Sequence, residues 1–142
     1  MRALKTLILF GVGGGIYFLI EYVWRCLTHS QSTHWTMFLV GGLAFLIVGG
    51  INEYLSWEML LQIQILIGTL AILMIEFVSG CVLNLWLGLN IWDYSELPCN
   101  LLGQVCLPYA ACWVVLSAVA ILLDDFLRWQ LFGEEKPHYK VR

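Results

Sequence analysis

Residues Glu76 to Trp113 read EFVSGCVLNLWLGLNIWDYSELPCNLLGQVCLPYAACW. An acid inside an apolar run opens the stretch, a loop dense in turn formers and aromatics follows, and a second apolar run closes it. In Trp92-Asp93-Tyr94-Ser95 a carboxylate sits between two rings, with Pro98 and Asn100 close behind. Polar groups placed at a membrane surface must find partners there. The nature of the flanking runs therefore decides the fold.

Those runs belong to a bilayer. The chain has 142 residues, 61% hydrophobic and 12% charged, with a mean hydropathy of +0.82. That length fits one domain, residues 1–142, but a soluble core of this size hides far less apolar surface. The expected fold is an all-α bundle of four transmembrane helices in the cell membrane. A net charge of −3 without a basic patch leaves no footprint for nucleic acid.

A bilayer core needs about 20 helical residues, and four segments supply them. They run Leu4–Leu27, Met37–Leu55, Trp57–Leu87, and from Leu101 or Pro108 to Trp129. Starting the last at Pro108 puts the missing N–H in the first turn, where it costs nothing; starting at Leu101 makes Pro108 a kink. Residues 88–100 form the long loop and 130–142 a solvated tail. Arg2 and Lys5 resemble the basic start of a signal peptide, but no small-x-small site follows the apolar run, so the first helix reads as retained.

With four spans, Arg2, Lys5, Arg128, Lys136, Lys140 and Arg142 share one side and only Arg25 lies on the other. The positive-inside rule then puts both termini in the cytoplasm and the loops 28–36 and 88–100 outside.

At about 100° per residue, Glu58, Gln62, Thr69, Glu76 and Gly80 share one face of the third helix, with Asn84 beside it. Such a stripe does not face lipid. Gly14, Glu21 and Arg25 share a face of helix one, and Gly42, Gly49 and Glu53 one of helix two. Helix four presents Ala110, Ser117 and Asp124 beside Ala111, Ala118 and Asp125. Small residues admit close helix contact and acids need company, so these faces point at one another. Ordinary packing explains the glycines and alanines; it does not explain Glu76.

Glu21 and Arg25 stand at i,i+4 and neutralise each other, which a structural clamp would also require. Glu76 has no base within one turn. Among apolar groups its neutral form is favoured, whereas beside Arg25 it would ionise. A switching acid suits a proton-coupled step or a cation site; a neutral interhelical hydrogen bond is the plainer alternative. The candidate intramembrane cluster is Glu21, Arg25, Gln62, Thr69, Glu76 and Asn84. Glu53, Glu58, Asp124 and Asp125 are expected to be solvated at the cytoplasmic ends.

Trp92, Asp93, Tyr94, Ser95 and Asn100 form a candidate lid. Pro98 and Gly103 supply turn chemistry, and Arg25 is the natural partner for an acid there, with Asp93 and Glu21 the candidates; the simpler reading has Asp93 capping a turn. Of five cysteines, Cys112 reads as a buried packing residue, while Cys26, Cys81, Cys99 and Cys106 lie toward one side without a deducible disulfide. Cys26, His29 and His34 match no closed zinc pattern, and Gly11–Gly15 lies in an apolar helix rather than a nucleotide loop. No metal, cofactor or catalytic residue is expected.

The segment carrying Glu76-Phe77, Gly80, Trp92-Asp93-Tyr94-Ser95, Pro98, Asn100, Gly103, Cys106-Leu107 and Trp113 resembles the signature region of a bacterial membrane family, the putative type IV ABC-transporter permeases (CmpB-like). That family's first helix carries a Glu followed by a base, matched by Glu21 and Arg25. Its Asn-Arg-Gly-Phe-Leu and Pro-Ile-Tyr-Gly blocks are replaced here by His34-Trp35-Thr36-Met37-Phe38-Leu39 with Gly41-Gly42, the mark of a divergent or shortened branch. The resemblance implies transport.

The expected function is a small permease-like or channel-like protein, working as a homo-oligomer or with a partner such as a separate ATPase, since the chain has no nucleotide motif. The alternatives are a membrane scaffold or regulatory subunit, and an enzyme acting on lipid or cell-wall precursors through Asp93, Glu76 or His34. Transport predicts a hydrated polar stripe, a scaffold a sealed bundle, and an enzyme a side pocket beneath the lid. Topology is testable with single cysteines at Ser32 and Glu135 in a background without native cysteines. An impermeant thiol reagent on intact cells should label position 32 alone; labelling of 135 and not 32 would reverse the orientation.

Overall fold

In the computed structural model, which describes residues 2–142, four helices are long and apolar enough to cross a bilayer, and no strand element occurs among the described residues. They are α1 (Arg2–Leu27), α2 (Thr36–Gly49), α3 (Leu61–Gly80) and α4 (Leu107–Phe132). A 3-10 turn, Gly50–Glu53, prolongs α2, and a π-helical segment, Cys81–Trp86, prolongs α3. At 26 residues each, α1 and α4 reach about 39 Å. Pro108 stands in the first turn of α4, and Gly133 ends that helix at φ 67°, a left-handed conformation that suits glycine.

The shortest helix is the central one. α2 packs on α1, α3 and α4, while α3 and α4 also pack on each other. Val48, Ile51, Ile72, Trp113 and Ile121 form the core shared by α2, α3 and α4. α1 joins this trio through α2, and glycines determine how closely. A Cβ on Gly41 would stand 2.5 Å from that of Tyr17, and one on Gly14 would stand 2.5 Å from the Phe38 carbonyl oxygen. Gly13 lies against Phe45 in the same way, and Gly42 against Phe10. Because α1 is drawn so tightly onto α2, it meets α4 only sparingly. Trp24 stands edge-on to Tyr109 near one end, and Lys5 lies over the Phe132 ring near the other.

Both termini and the α2–α3 turn gather at one end of the bundle, tied by ion pairs of Lys5 with Glu134 and of Arg128 with Asp124 and Glu53. One expectation fails here. Asp124 and Asp125 are buried rather than solvated, because Arg128 pairs with the first while Asn52 and Tyr139 donate to the second at 2.7 and 2.9 Å. The tail stays largely exposed, yet it is not free. It folds back so that the Lys140 carbonyl accepts the Leu61 N–H at 2.9 Å and His138 stacks on Trp57 at 4.8 Å. This contact also explains why α3 begins at Leu61 rather than near Trp57: Leu60 is extended and bridges to Lys140. Burial and the neighbouring Asp125 push the Tyr139 hydroxyl well above its ordinary range, so it keeps the proton it donates.

The tail contact has a stability consequence. Tyr139→Phe leaves Asp125 with one donor fewer and should cost about 1–3 kcal/mol in unfolding of the detergent-solubilised protein. A change within about 0.5 kcal/mol, as for an ordinary surface site, would show that the docked tail adds nothing to stability.

Candidate functional site

The far end of the bundle is built on α3 where it changes pitch. Through Cys81–Trp86 the helix widens, and Asn84 becomes a buried bracket for the loop. Its Oδ1 accepts the Ile91 N–H at 2.7 Å and its Nδ2 donates to Gln104 Oε1 at 2.9 Å. The Gln104 carbonyl in turn accepts the Trp92 indole N–H at 3.0 Å. π-helical turns recur where a helix must re-aim side chains at a site. Here the widened turn draws the loop down onto the bundle.

The loop thus roofs Glu76. Tyr94 donates its hydroxyl to Glu76 Oε1 at 3.0 Å, and Trp113 of α4 donates its indole N–H to Oε2 at 2.8 Å. Both oxygens of an acid only 7% exposed are thereby partnered by neutral donors. Tyr94 stacks on Tyr109 at 4.7 Å, and Tyr17 lies 6.0 Å from Trp113. Burial beside Glu76 drives the Tyr94 hydroxyl far above its normal range, so it acts as a donor.

The lid expectation needs one correction. Asp93 does not meet Arg25. It accepts the Ser95 N–H at 2.9 Å and the Ser95 hydroxyl at 2.5 Å, and these bonds hold its exposed carboxyl below the usual range. A short Asx-type turn satisfies it locally, at lower conformational cost than a reach to α1. Gly103, at φ 69°, lies so close that a Cβ would stand 2.7 Å from Asp93 Oδ1. Asn100 closes the turn by donating to the Ser95 and Leu97 carbonyls. Arg25 does tie the loop to α1, but through backbone: it pairs with Glu21 at 2.7 Å and donates to the Ile91 carbonyl at 2.9 Å.

The expected stripe is not one cluster. Gln62 is exposed at the terminal end and donates to the Val141 carbonyl at 3.1 Å. Thr69 bonds Ser117 at 3.3 Å in the middle, and Asn84 braces the loop. Only Glu21, Arg25 and Glu76 line a common space. That space is a groove of about 740 Å³ beneath the loop, walled by α1, α2, α3 and α4. Exposed Ile16 and Ile20 of α1, and exposed Cys112 and Val119 of α4, flank its open side. Cys112 is therefore not the buried packing residue its type suggested; it borders the gap that α1 leaves. All five cysteines are free thiols.

Sequence reasoning missed Trp113 as the second donor to Glu76, Gln104 as the floor of the loop, and Gln64, which is fully buried and donates to the Met59 carbonyl at 3.2 Å. Gln64 stands three i,i+4 steps before Glu76, on the Gly68 and Ile72 face, and that register was the available signal. No group of three or more metal-ligating side chains occurs among the described residues.

The profile of the family described as putative ABC-transporter type IV matches residues 5–131. No curated protein and no solved structure matches the chain.

The geometry reassigns the couplings around Arg25. Asp93→Ala and Arg25→Ala should have additive effects on thermal stability, to within about 0.5 kcal/mol, since the two side chains share no partner. Glu21→Ala and Arg25→Ala should be non-additive. An Asp93–Arg25 coupling as large as that of the Glu21–Arg25 pair would overturn this arrangement.

Proposed function

The chain belongs to the putative type IV ABC-transporter family, and from that premise we propose that it is the substrate-receiving membrane component of a transporter, admitting an amphipathic molecule sideways from the bilayer. One observation carries the reading. The groove of about 740 Å³ has apolar walls, polar groups gathered under the loop, and an open flank between α1 and α4. That volume lies within the roughly 300–1,000 Å³ of small-molecule sites, which pair apolar walls with a few convergent polar groups.

In this reading the termini face the cytoplasm of a bacterial cell and the groove opens to the outer leaflet, as the distribution of Lys and Arg favours. ATP hydrolysis belongs to a separate subunit, because the sequence carries no phosphate loop. The polar stripe is split among local partners, so a single chain encloses no polar path from end to end. A second copy or another membrane subunit completes it.

An enzyme would also want a pocket beneath the lid, but the three groups suited to acid–base roles, Glu76, Asp93 and His34, are already engaged. Both Glu76 oxygens accept hydrogen bonds, Asp93 turns to Ser95, and His34 bonds Thr36 at 2.8 Å. Binding and transfer suit these groups better than proton exchange with a substrate.

Native mass spectrometry of the chain released from its own membranes tests the reading. The wild type should retain a single amphipathic molecule at fixed stoichiometry. Cys112→Trp, which fills the groove from its rim, should lower retention about tenfold or more, a loss of at least about 1.4 kcal/mol, without a matching fall in thermal midpoint. Absence of a retained molecule, or equal retention by the variant, would overturn it.

A further inference from the structure

The groove's polar end is acidic, and one of its acids is incomplete. Four carboxylate side chains line the space, those of Glu21, Glu76, Asp93 and Glu96, against one base, Arg25. Arg25 is engaged at all three nitrogens: Nε pairs with Glu21 Oε1, Nη1 donates to the Gln31 carbonyl at 3.3 Å, and Nη2 donates to the Ile91 carbonyl. Glu21 Oε2 is the exception. It is buried on a side chain only 10% exposed, and the one donor beside this carboxyl, the Tyr17 hydroxyl one turn back, does not meet it in good hydrogen-bond geometry. A buried carboxylate oxygen with so poor a donor carries a desolvation cost that a bound cation or N–H group would relieve.

Aromatic rings complete the setting. Tyr17 lies one turn before Glu21 and 6.0 Å from Trp113, whose indole holds Glu76. Trp24, Tyr94 and Tyr109 line the same end. Ring faces attract ammonium groups, most strongly when water is excluded.

We propose that the groove binds a single-chain amphipathic cation, its ammonium group at Glu21 Oε2 among the rings of Tyr17, Trp24 and Trp113, and its hydrocarbon chain along α1 and α4. This rests on the reading of the groove as a substrate site and names the substrate's charge. A zwitterionic phospholipid fits less well, because its phosphate would enter an end lined by four acids. An anionic amphiphile fits least. The chain runs past Ile16, Leu116 and Val119 toward Leu123, where the walls carry no charge.

The test uses the full chain in phosphatidylcholine nanodiscs and three photoactivatable probes with the same alkyl chain, ending in trimethylammonium, a neutral glycol or sulfate. The ammonium probe should label residues lining the groove about tenfold more than the other two. Excess dodecyltrimethylammonium should compete; excess phosphatidylethanolamine should not. Glu21→Gln, nearly isosteric and still able to accept from Arg25, should cut ammonium labelling about tenfold and leave glycol labelling unchanged. Groove labelling that is equal for the three probes, or greatest for the sulfate, or displaced by phosphatidylethanolamine, would overturn the cation assignment while leaving the groove as a site. Failure of all three probes to label it would instead sink the groove reading. The comparison on the wild-type chain stands even if the variant does not fold.

Discussion

A carboxyl group within a membrane span is tolerable only when its oxygens are satisfied, and the loop end of this protein is arranged around that requirement. Glu76 draws one donor from the loop, Tyr94, and one from α4, Trp113. Two hydrogen bonds therefore join three segments that are distant in sequence. Removing a donor strands an oxygen in low dielectric, where a hydrogen bond is strong and its absence costly. The π-helical widening of α3 serves the same end, since Asn84 holds the loop at the height from which Tyr94 reaches down. Asp93, the more conspicuous acid in the sequence, is only a local turn cap.

The groove comes from the opposite kind of constraint, a steric one. Gly13, Gly14, Gly41 and Gly42 let α1 approach α2 more closely than any Cβ would permit. Contact of that quality is what holds helices together in lipid, where the hydrophobic effect does not distinguish a neighbouring helix from an acyl chain. Once α1 is committed to α2, it stands away from α4, with Trp24 and Tyr109 bridging near one end and Lys5 and Phe132 near the other. The same glycines that look like ordinary packing thus define the width of the candidate site. Gly11 and Gly15, with nothing within 4 Å of a built Cβ, take no part in this.

How much of this was legible in the sequence follows from the range of each interaction. Apolar run length located four spans, because a helix crossing hydrocarbon satisfies its own backbone and needs nothing from elsewhere in the chain. The pairing of Glu21 with Arg25 was legible for the same local reason, as an i,i+4 contact. Helix periodicity showed that Gln62, Thr69, Glu76 and Asn84 share a face, but not that each meets a different partner, because those partners arrive from the tail, α4 and the loop. The same limit hid the burial of Asp125, whose bonds to Asn52 and Tyr139 join residues far apart or across a reversing tail; Asp124 has a local i,i+4 partner in Arg128, but its burial depends on the helices packed around it. Cys112 misled because residue type reports average burial, whereas its exposure here reflects a gap between two particular helices.

The two ends of the bundle differ in the chemistry that closes them, and that difference bears on which element is able to move. At the terminal end, Arg128, Asp124, Glu53, Lys5 and Glu134 form a network of charges, and the tail adds backbone bonds to α3. At the loop end, neutral donors and amide side chains bind the loop to α3, and the Tyr94–Tyr109 stack sets it against α4. Both sets leave α2, α3 and α4 mutually packed. α1 has its long contact only with α2; elsewhere it is held at discrete points, by Arg25 on the Ile91 carbonyl, Trp24 on Tyr109 and Lys5 on Glu134. Each of those points is one side chain long, and interactions of that size are exchanged far more readily than a packed face. α1 is therefore the groove wall held by the fewest extended contacts, with its glycine contact on α2 as the main attachment. Glu21 and Arg25, the charged pair at the groove's polar end, stand on that same helix, so the groove's chemistry and its width are both tied to α1.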